Sequence, residues 1–112
     1  MEARAIKRNN PSSPRKMRLV IDMIRGKSAQ DALNILRFAD QMAAKAAELT
    51  LKSAINNLVR KDEGIDPESI FVKAVFVDPG MTAKRISPAP MGRAYRIRKR
   101  SHHLTIIVAT KQ

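Results

Sequence analysis

The last third of this chain contains no acidic residue. From Pro79 to Gln112 there is no Asp or Glu, and eight Lys or Arg residues there supply most of the net charge of +12. The first 78 residues hold the other 14 basic residues and all 10 acidic ones. A segment this cationic is too costly to bury. We therefore expect it to extend from a folded body and to bind a polyanion.

The basic residues of this segment alternate with other residues on both sides of a Pro-rich centre, Ser87–Gly92. This pattern predicts a β-hairpin that closes at 88–92, with Arg96, Arg98 and Arg100 on one face of the returning strand. With about nine residues on each side, the hairpin would reach roughly 30 Å beyond the body. An isolated hairpin is marginal in water, so we expect it to become ordered when phosphates neutralise its charge.

A chain of 112 residues is long enough for one domain. We expect residues 1–80 and 103–112 to form the globular body and residues 81–102 to form the basic hairpin, which we call the arm. Three residues mark the expected starts of helices. Ser13 is a good N-cap with Pro14 following it, and Ser28 starts a second helix. Asp40 is expected to cap the longest helix, which ends near Arg60.

Two apolar runs predict strands at either end of the arm. They are Ile70–Val77, which Asp78–Gly80 is expected to end, and Leu104–Thr110. Residues 1–10 alternate weakly and could form an edge strand. The simplest arrangement pairs the two strong strands antiparallel and places the helices on one face of the sheet. The expected fold is therefore α+β, with three helices packed on a small antiparallel sheet and a long protruding arm.

The larger apolar side chains are assigned to the core. Met17, Met23 and Met42 fall among helical residues and are expected to fill the core. Phe71 and Phe76 lie on the same predicted strand but are five residues apart. Regular alternation would place their rings on opposite faces, so core packing is favoured for both over base stacking.

Signals for other chemistry are weak. The chain has no cysteine, and therefore neither a disulfide framework nor a thiolate metal site. His102 and His103 are adjacent in a strand and point to opposite faces, so they cannot easily share a metal. Ser101 beside His102 is not a nucleophile–base pair, because no orienting acid lies near them in sequence. No apolar run is long enough to span a bilayer. We expect no enzymatic activity, no cofactor, no metal and no membrane partner.

A second basic group lies near the start of the first predicted helix: Arg15, Lys16 and Arg18. Helix N-termini attract phosphate through their free N–H groups. An ordinary solvated helix face explains the same spacing equally well.

Five segments resemble the bacterial ribosomal protein L22 (uL22) family. Ser13–Lys27 resembles the first helix of that family, and Leu51–Asn57 resembles its long helix. Lys84–Ile86, Gly92–Ala94 and Arg96–Arg100 are similar to the two limbs of its arm. The match covers nearly the whole chain, in order and at compatible spacing.

The resemblance implies a cytoplasmic, structural component of the large ribosomal subunit. In that family the hairpin threads into 23S rRNA, assists assembly, and lines the polypeptide exit tunnel with its tip, which is associated with macrolide resistance. The implied partners are 23S rRNA, neighbouring large-subunit proteins and the nascent polypeptide, without a homo-oligomer. The implied rRNA-binding residues are Arg15, Lys16, Arg18, Lys84, Arg85, Arg93, Arg96, Arg98, Lys99 and Arg100. The implied tunnel-lining residues are Pro88, Ala89, Pro90, Met91, Gly92 and Arg93.

The tip departs from the family pattern at two positions. Ala89 stands where the family usually has arginine, and Met91 stands where it commonly has a basic residue. Tunnel contacts of that arginine therefore cannot be transferred to this chain.

A second function class fits the composition alone. Architectural DNA-binding proteins also use basic β-arms with proline near the tip. Such a dimer needs a large apolar interface, whereas the apolar residues of this chain are mostly needed by its own core.

Overall fold

The computed structural model describes residues 1–11, 13–40, 42–88 and 94–110, and of these it describes backbone only at 83–88 and 94–99. The elements are β1 (Glu2–Asn10), α1 (Pro14–Asp22), α2 (Ala29–Arg37), α3 (Ala43–Lys61), a short 3-10 helix (Pro67–Ser69), β2 (Ile70–Pro88) and β3 (Ala94–Thr110). The helices pack on a three-stranded antiparallel sheet, as the sequence predicted.

β3 is the central strand of the sheet, between β1 and β2. Ile106 pairs with Ala5 on one side and with Val75 on the other. The predicted N-terminal edge strand is therefore confirmed. The pairing of β1 ends at Asn10, whereas β2 and β3 continue together to the pair Pro88–Ala94. The radius of gyration is 17.2 Å, against about 13 Å for a compact chain of this length, so the molecule is elongated.

The core lies between the sheet and the helices. Leu104, Ile106 and Val108 are fully buried on the helix side of β3. Burying each such side chain contributes about 1.5–3 kcal/mol to folding. The buried face of α3 is rich in alanine, which lets the helix approach the sheet closely. Its buried residues are Ala44, Ala47, Thr50, Leu51, Ala54 and Leu58.

Two of the three predicted helix starts are confirmed. The Ser13 hydroxyl accepts a hydrogen bond from the Lys16 amide, and Ser28 accepts one from the Asp31 amide. The prediction for Asp40 is wrong. Helix α3 begins at Ala43 after Met42, without a side-chain cap, so Asp40 lies before the cap position and is too far from the free amides of the first turn.

The exposed backbone of both outer strands is capped by helix side chains. On β2, Arg18 donates to the Val77 carbonyl at 3.3 Å and Arg25 donates to Val75 at 3.0 Å. On β1, Asn57 donates to Arg4 and Lys61 donates to Glu2, both at 3.0 Å. Because these carbonyls already have donors, a further strand cannot add easily to either edge.

The expected end of β2 at Asp78–Gly80 is wrong. The strand continues through these residues, and a register shift between Pro79 and Thr82 accommodates them. A bulge of this kind absorbs an extra residue without breaking the strand. A Pro-Gly pair in a sequence usually predicts the end of a strand, but here β2 pairs with β3 again from Thr82 onward.

Two core assignments are also wrong. Met17 is buried and Met23 packs against the core, but Met42 is 95% exposed. Phe71 is partly buried, whereas Phe76 is 44% exposed. Met42 lies at the cap position of α3, so the helical face that buries its neighbours does not extend to it.

Candidate nucleic-acid interface

A groove lies where the arm joins the body, and we call it the arm-root groove. Its volume is about 520 Å³. The described residues that line it are Pro14, Arg15, Arg18, Pro79, Gly80, Thr82, Arg100 and Ser101. Three of these eight are arginines and none is acidic. The groove therefore presents three positive charges, with no carboxylate among its described lining, to one ligand.

Helix α1 supplies two of the arginines because its apolar residues are spaced for burial. Met17, Val20 and Ile21 face the core, which turns Arg15 and Arg18 outward. The Ser13 cap and Pro14 fix where the helix begins. Lys16, predicted with them, is exposed but does not line the groove.

Arg18 is oriented by the backbone of β2. One guanidinium nitrogen donates to the Val77 carbonyl at 3.3 Å. A guanidinium has five N–H donors in a planar fork, so this bond fixes its direction and leaves capacity for a phosphate. The same contact ties α1 to the strand that continues into the arm.

Arg100 reaches the groove because β2 and β3 are closely packed at the register shift. A Cβ on Gly80 would lie 2.8 Å from the Ser101 hydroxyl oxygen and 3.3 Å from the His102 backbone nitrogen. The Ser101 hydroxyl donates to the Met81 carbonyl at 2.6 Å. A side chain at this position would force the Ser101 hydroxyl to move and would press on the β3 backbone. Sequence analysis placed Gly80 at the end of the strand, whereas a glycine inside a strand often marks a bulge or a close backbone contact.

The two histidines attach β1 to the base of the arm. His102 is fully buried, and its Nε2 lies 3.0 Å from the Asn10 side-chain amide nitrogen. The Asn9 backbone N–H donates to His103 Nδ1 at 3.1 Å. Their roles here are structural. Among the described residues, no group of three or more His, Asp or Glu is arranged to hold a metal ion.

The backbone register of the arm places two cationic residues opposite each other. Lys84 pairs with Arg98, whereas Lys99 pairs with Ala83. Like charges at directly opposed positions weaken a strand pair. This pair therefore weakens the arm, and with no acidic residue from Pro79 onward in the sequence the arm itself offers no opposite charge.

The remaining predicted arm residues divide into two sets. Arg85 pairs with Ile97 and Arg96 with Ile86, and Pro88 is the last residue of β2. The predicted tip residues Ala89, Pro90, Met91, Gly92 and Arg93 lie outside the described residues. Their roles stay predictions.

Comparison with known proteins gives one consistent result. Residues 5–109 match the family described as ribosomal protein L22p/L17e. The large ribosomal subunit protein uL22 of Chlorobium chlorochromatii (strain CaD3) is 58% identical over 110 residues, which is 96% of this chain and 92% of that protein. The uL22 proteins of Chlorobium phaeobacteroides (strain DSM 266 / SMG 266 / 2430) and Chlorobaculum tepidum are 54% and 53% identical over the same shares.

Proposed function

This chain belongs to the ribosomal protein L22p/L17e family, and from that membership we propose that it binds large-subunit rRNA through the arm-root groove and the arm. It is a structural protein of the large ribosomal subunit and not an enzyme. In bacteria the large ribosomal subunit, and this protein with it, is located in the cytoplasm. No helix within the described ranges is long and apolar enough to cross a membrane.

One observation carries the proposal. Arg15 and Arg18 from α1 and Arg100 from β3 meet in a single groove whose described lining has no acid. The groove opens directly beside the strands of the arm, where the acid-free sequence begins. A path of positive charge of this kind fits a phosphate backbone, because arginine binds phosphate through two parallel hydrogen bonds.

The proposal extends along the arm. Lys84, Arg85, Arg93, Arg96, Arg98 and Lys99 would continue the phosphate contacts, and Lys16 would contribute from the exposed side of α1. By this proposal the arm enters 23S rRNA and supports assembly of the subunit. The capped edges of the sheet favour a single copy of the chain beside rRNA and neighbouring ribosomal proteins.

The salt dependence of RNA binding tests the groove. The variant R15Q/R18Q/R100Q removes three charges from it, and R37Q/K45Q/R60Q removes three exposed charges elsewhere. Each lost phosphate contact lowers the slope of log K against log salt by about 0.7–0.9. We expect the groove variant to flatten the slope by about two units or more and the control to leave it nearly unchanged. Equal effects of the two variants would contradict the assignment of the groove.

The same binding experiment also tests the competing function, that of an architectural DNA-binding protein. Wild-type chain should be retained on protein-free large-subunit rRNA in preference to duplex DNA of equal phosphate concentration. Preferential retention on the duplex would favour the DNA-binding alternative.

We also propose that the tip, residues 88–93, lines the exit tunnel rather than anchoring the protein. Pro88 and Pro90 restrict the backbone, and Ala89 and Met91 carry no charge for a phosphate. Deleting Ala89–Met91 should leave subunit occupancy nearly unchanged while altering macrolide sensitivity or stalling by specific nascent peptides. Lost occupancy would instead make the tip an anchor, and no change in either readout would place it away from the tunnel wall.

A further inference from the structure

A β-bulge in β2 brings both phenylalanines to the face of the sheet opposite the helices, which we call the open face. On β3, Val108 and Ile107 are consecutive, yet they pair with Val72 and Ala74. Lys73 is therefore an extra residue on β2, and it inverts the alternation after it. Phe71 pairs with Ala109 and Phe76 pairs with Thr105, so the expectation that the rings lie on opposite faces is wrong.

Phe76 lies at one end of a row that crosses all three strands. The row is Ile6, Thr105 and Phe76, and it is about 10 Å wide at the usual strand spacing. Ile6 is 39% exposed and Phe76 is 44% exposed, whereas Thr105 between them is 6% exposed. The next row on this face is Arg4, Ile107 and Ala74. The open face therefore carries an accessible aromatic ring beside aliphatic neighbours.

Charges of both signs surround the row, in contrast to the acid-free lining of the arm-root groove. Glu2 lies at the far end of the face, and Lys73 reaches across β3 to it at 2.7 Å. Asp78, two residues beyond Phe76 on the same face, is an exposed carboxylate. A carboxylate repels a phosphate oxygen but accepts hydrogen bonds from the amino groups of bases. Arg4, exposed in the neighbouring row, can hold the connected phosphate.

A protein partner fits this face less well. The capped edges oppose addition of a strand. The row, about 10 Å wide and one residue deep, is also a small patch beside the roughly 800 Å² of total surface that each partner buries in a stable protein interface. A single stacked base needs only one accessible ring.

We propose that the open face is a second RNA site, at which an unpaired nucleobase stacks on Phe76. The site rests on the proposed rRNA-binding function and adds base contact to the phosphate contacts of the groove and arm. Phosphate contacts position an RNA without reading it, whereas a splayed-out base is a point of recognition.

This site is tested by substitutions that distinguish the aromatic character of the Phe76 side chain from its volume. The full chain is titrated onto protein-free large-subunit rRNA at fixed salt, as wild type, F76A, F76L and F76W. Loss of one base stack weakens affinity by about 5- to 150-fold. We expect this loss in F76A and F76L, with an unchanged salt slope, and near wild-type affinity in F76W. Phe38, which is 78% exposed at the end of α2, provides the matched control F38L, expected to bind as wild type.

The outcomes separate this site from the proposed function. Wild-type affinity in F76L, with its folded state verified by thermal unfolding, overturns stacking. Unchanged RNA affinity of all Phe76 variants, with reduced incorporation into the subunit, assigns the face to a neighbouring protein and also overturns it. In either case, if R15Q/R18Q/R100Q makes the slope of log K against log salt less steep, the proposed rRNA binding is supported even though the stacking site is not. Failure of wild type to prefer this rRNA contradicts the proposed function itself.

Discussion

The body and the arm share the same two strands, but different forces stabilise the two regions. In the body, residues 70–79 of β2 and 103–110 of β3 are joined by β1 and covered on one face by helices. Beyond the last pair of β1, the sheet has two strands, and Lys84 lies opposite Arg98. The body is stabilised by apolar burial within the chain, whereas by the function proposed above the arm is stabilised when rRNA phosphates neutralise its charge.

The boundary between these regions is a structural feature in itself. The register shift at Pro79–Thr82, the close approach of Gly80 to Ser101, and the buried His102 beside Asn10 lie within a few residues of each other. The arm therefore leaves the body from a fixed root. This root holds the groove arginines beside the start of the arm, so one RNA segment can engage both.

Amide hydrogen exchange in the free protein should give the largest difference between the regions. We expect protection factors on the order of 10³ or more in the core strands, where opening requires global unfolding. Arm amides at 83–87 and 94–99 should exchange without measurable protection and become protected on rRNA. Ser101 and His102 should follow the body, because they are held at the root. Strong protection of the arm strands without RNA would contradict this division.

Two isoleucines of β3, one in the body and one in the arm, allow the same substitution to be compared in the two regions. Ile106 is fully buried in the core, whereas Ile97 lies on the arm part of the same strand. Ile106→Ala should cost about 2–5 kcal/mol of unfolding free energy because it removes buried methylenes and leaves a cavity. Ile97→Ala should change it by about 0.5 kcal/mol or less. Urea unfolding measures both, and a similar cost for the two would mean that the arm contributes to the folded core.

A methyl group at the root should have an intermediate effect. Gly80→Ala places a Cβ within 2.8 Å of the Ser101 hydroxyl, and overpacking of this kind costs about 1–3 kcal/mol. Ser101→Ala removes that oxygen and should recover part of the loss in the double variant, as a double-mutant cycle would show. Additive effects of the two substitutions on the free energy of unfolding would indicate that the contact between Gly80 and Ser101 is not the cause of the destabilisation.

The smallest expected effect is that of the ion pair on the open face. The hydrogen bond from Lys73, together with its charge, lowers the pKa of Glu2 below the ordinary value of 4.5. A lowered pKa in the folded state stabilises the protein above that ordinary value, and the contribution is lost as pH falls through the folded pKa. Glu2→Gln should therefore slightly lower the urea midpoint near neutral pH and have no effect in acid.

Salt provides the control for this last comparison. Both side chains are about half exposed, so added salt should screen the pair and shrink the difference between wild type and Glu2→Gln at neutral pH. A difference that persists in acid or grows with salt would assign the effect to packing of the Glu2 side chain instead of its charge.

Local patterns in the sequence determined the helices, the strand order along the chain and the separation of charge. Ser13 and Ser28 cap helices because a hydroxyl reaches an amide three residues away, an interaction contained within a few residues. The burial of Met17, Val20 and Ile21 follows from helical spacing in the same way. The basic character of the arm needs no structure at all, since it is a matter of composition.

Only the tertiary structure decided how these parts face each other. The extra residue Lys73 moves Phe76 onto the open face, and the shift at Pro79–Thr82 lets β2 continue where its sequence suggests an end. Arg100 joins Arg15 and Arg18, more than 80 residues away in the chain, through the same pairing. Bulges and register are set by contacts between strands that are distant in the sequence. The alternation of apolar and polar residues along one strand therefore cannot locate them.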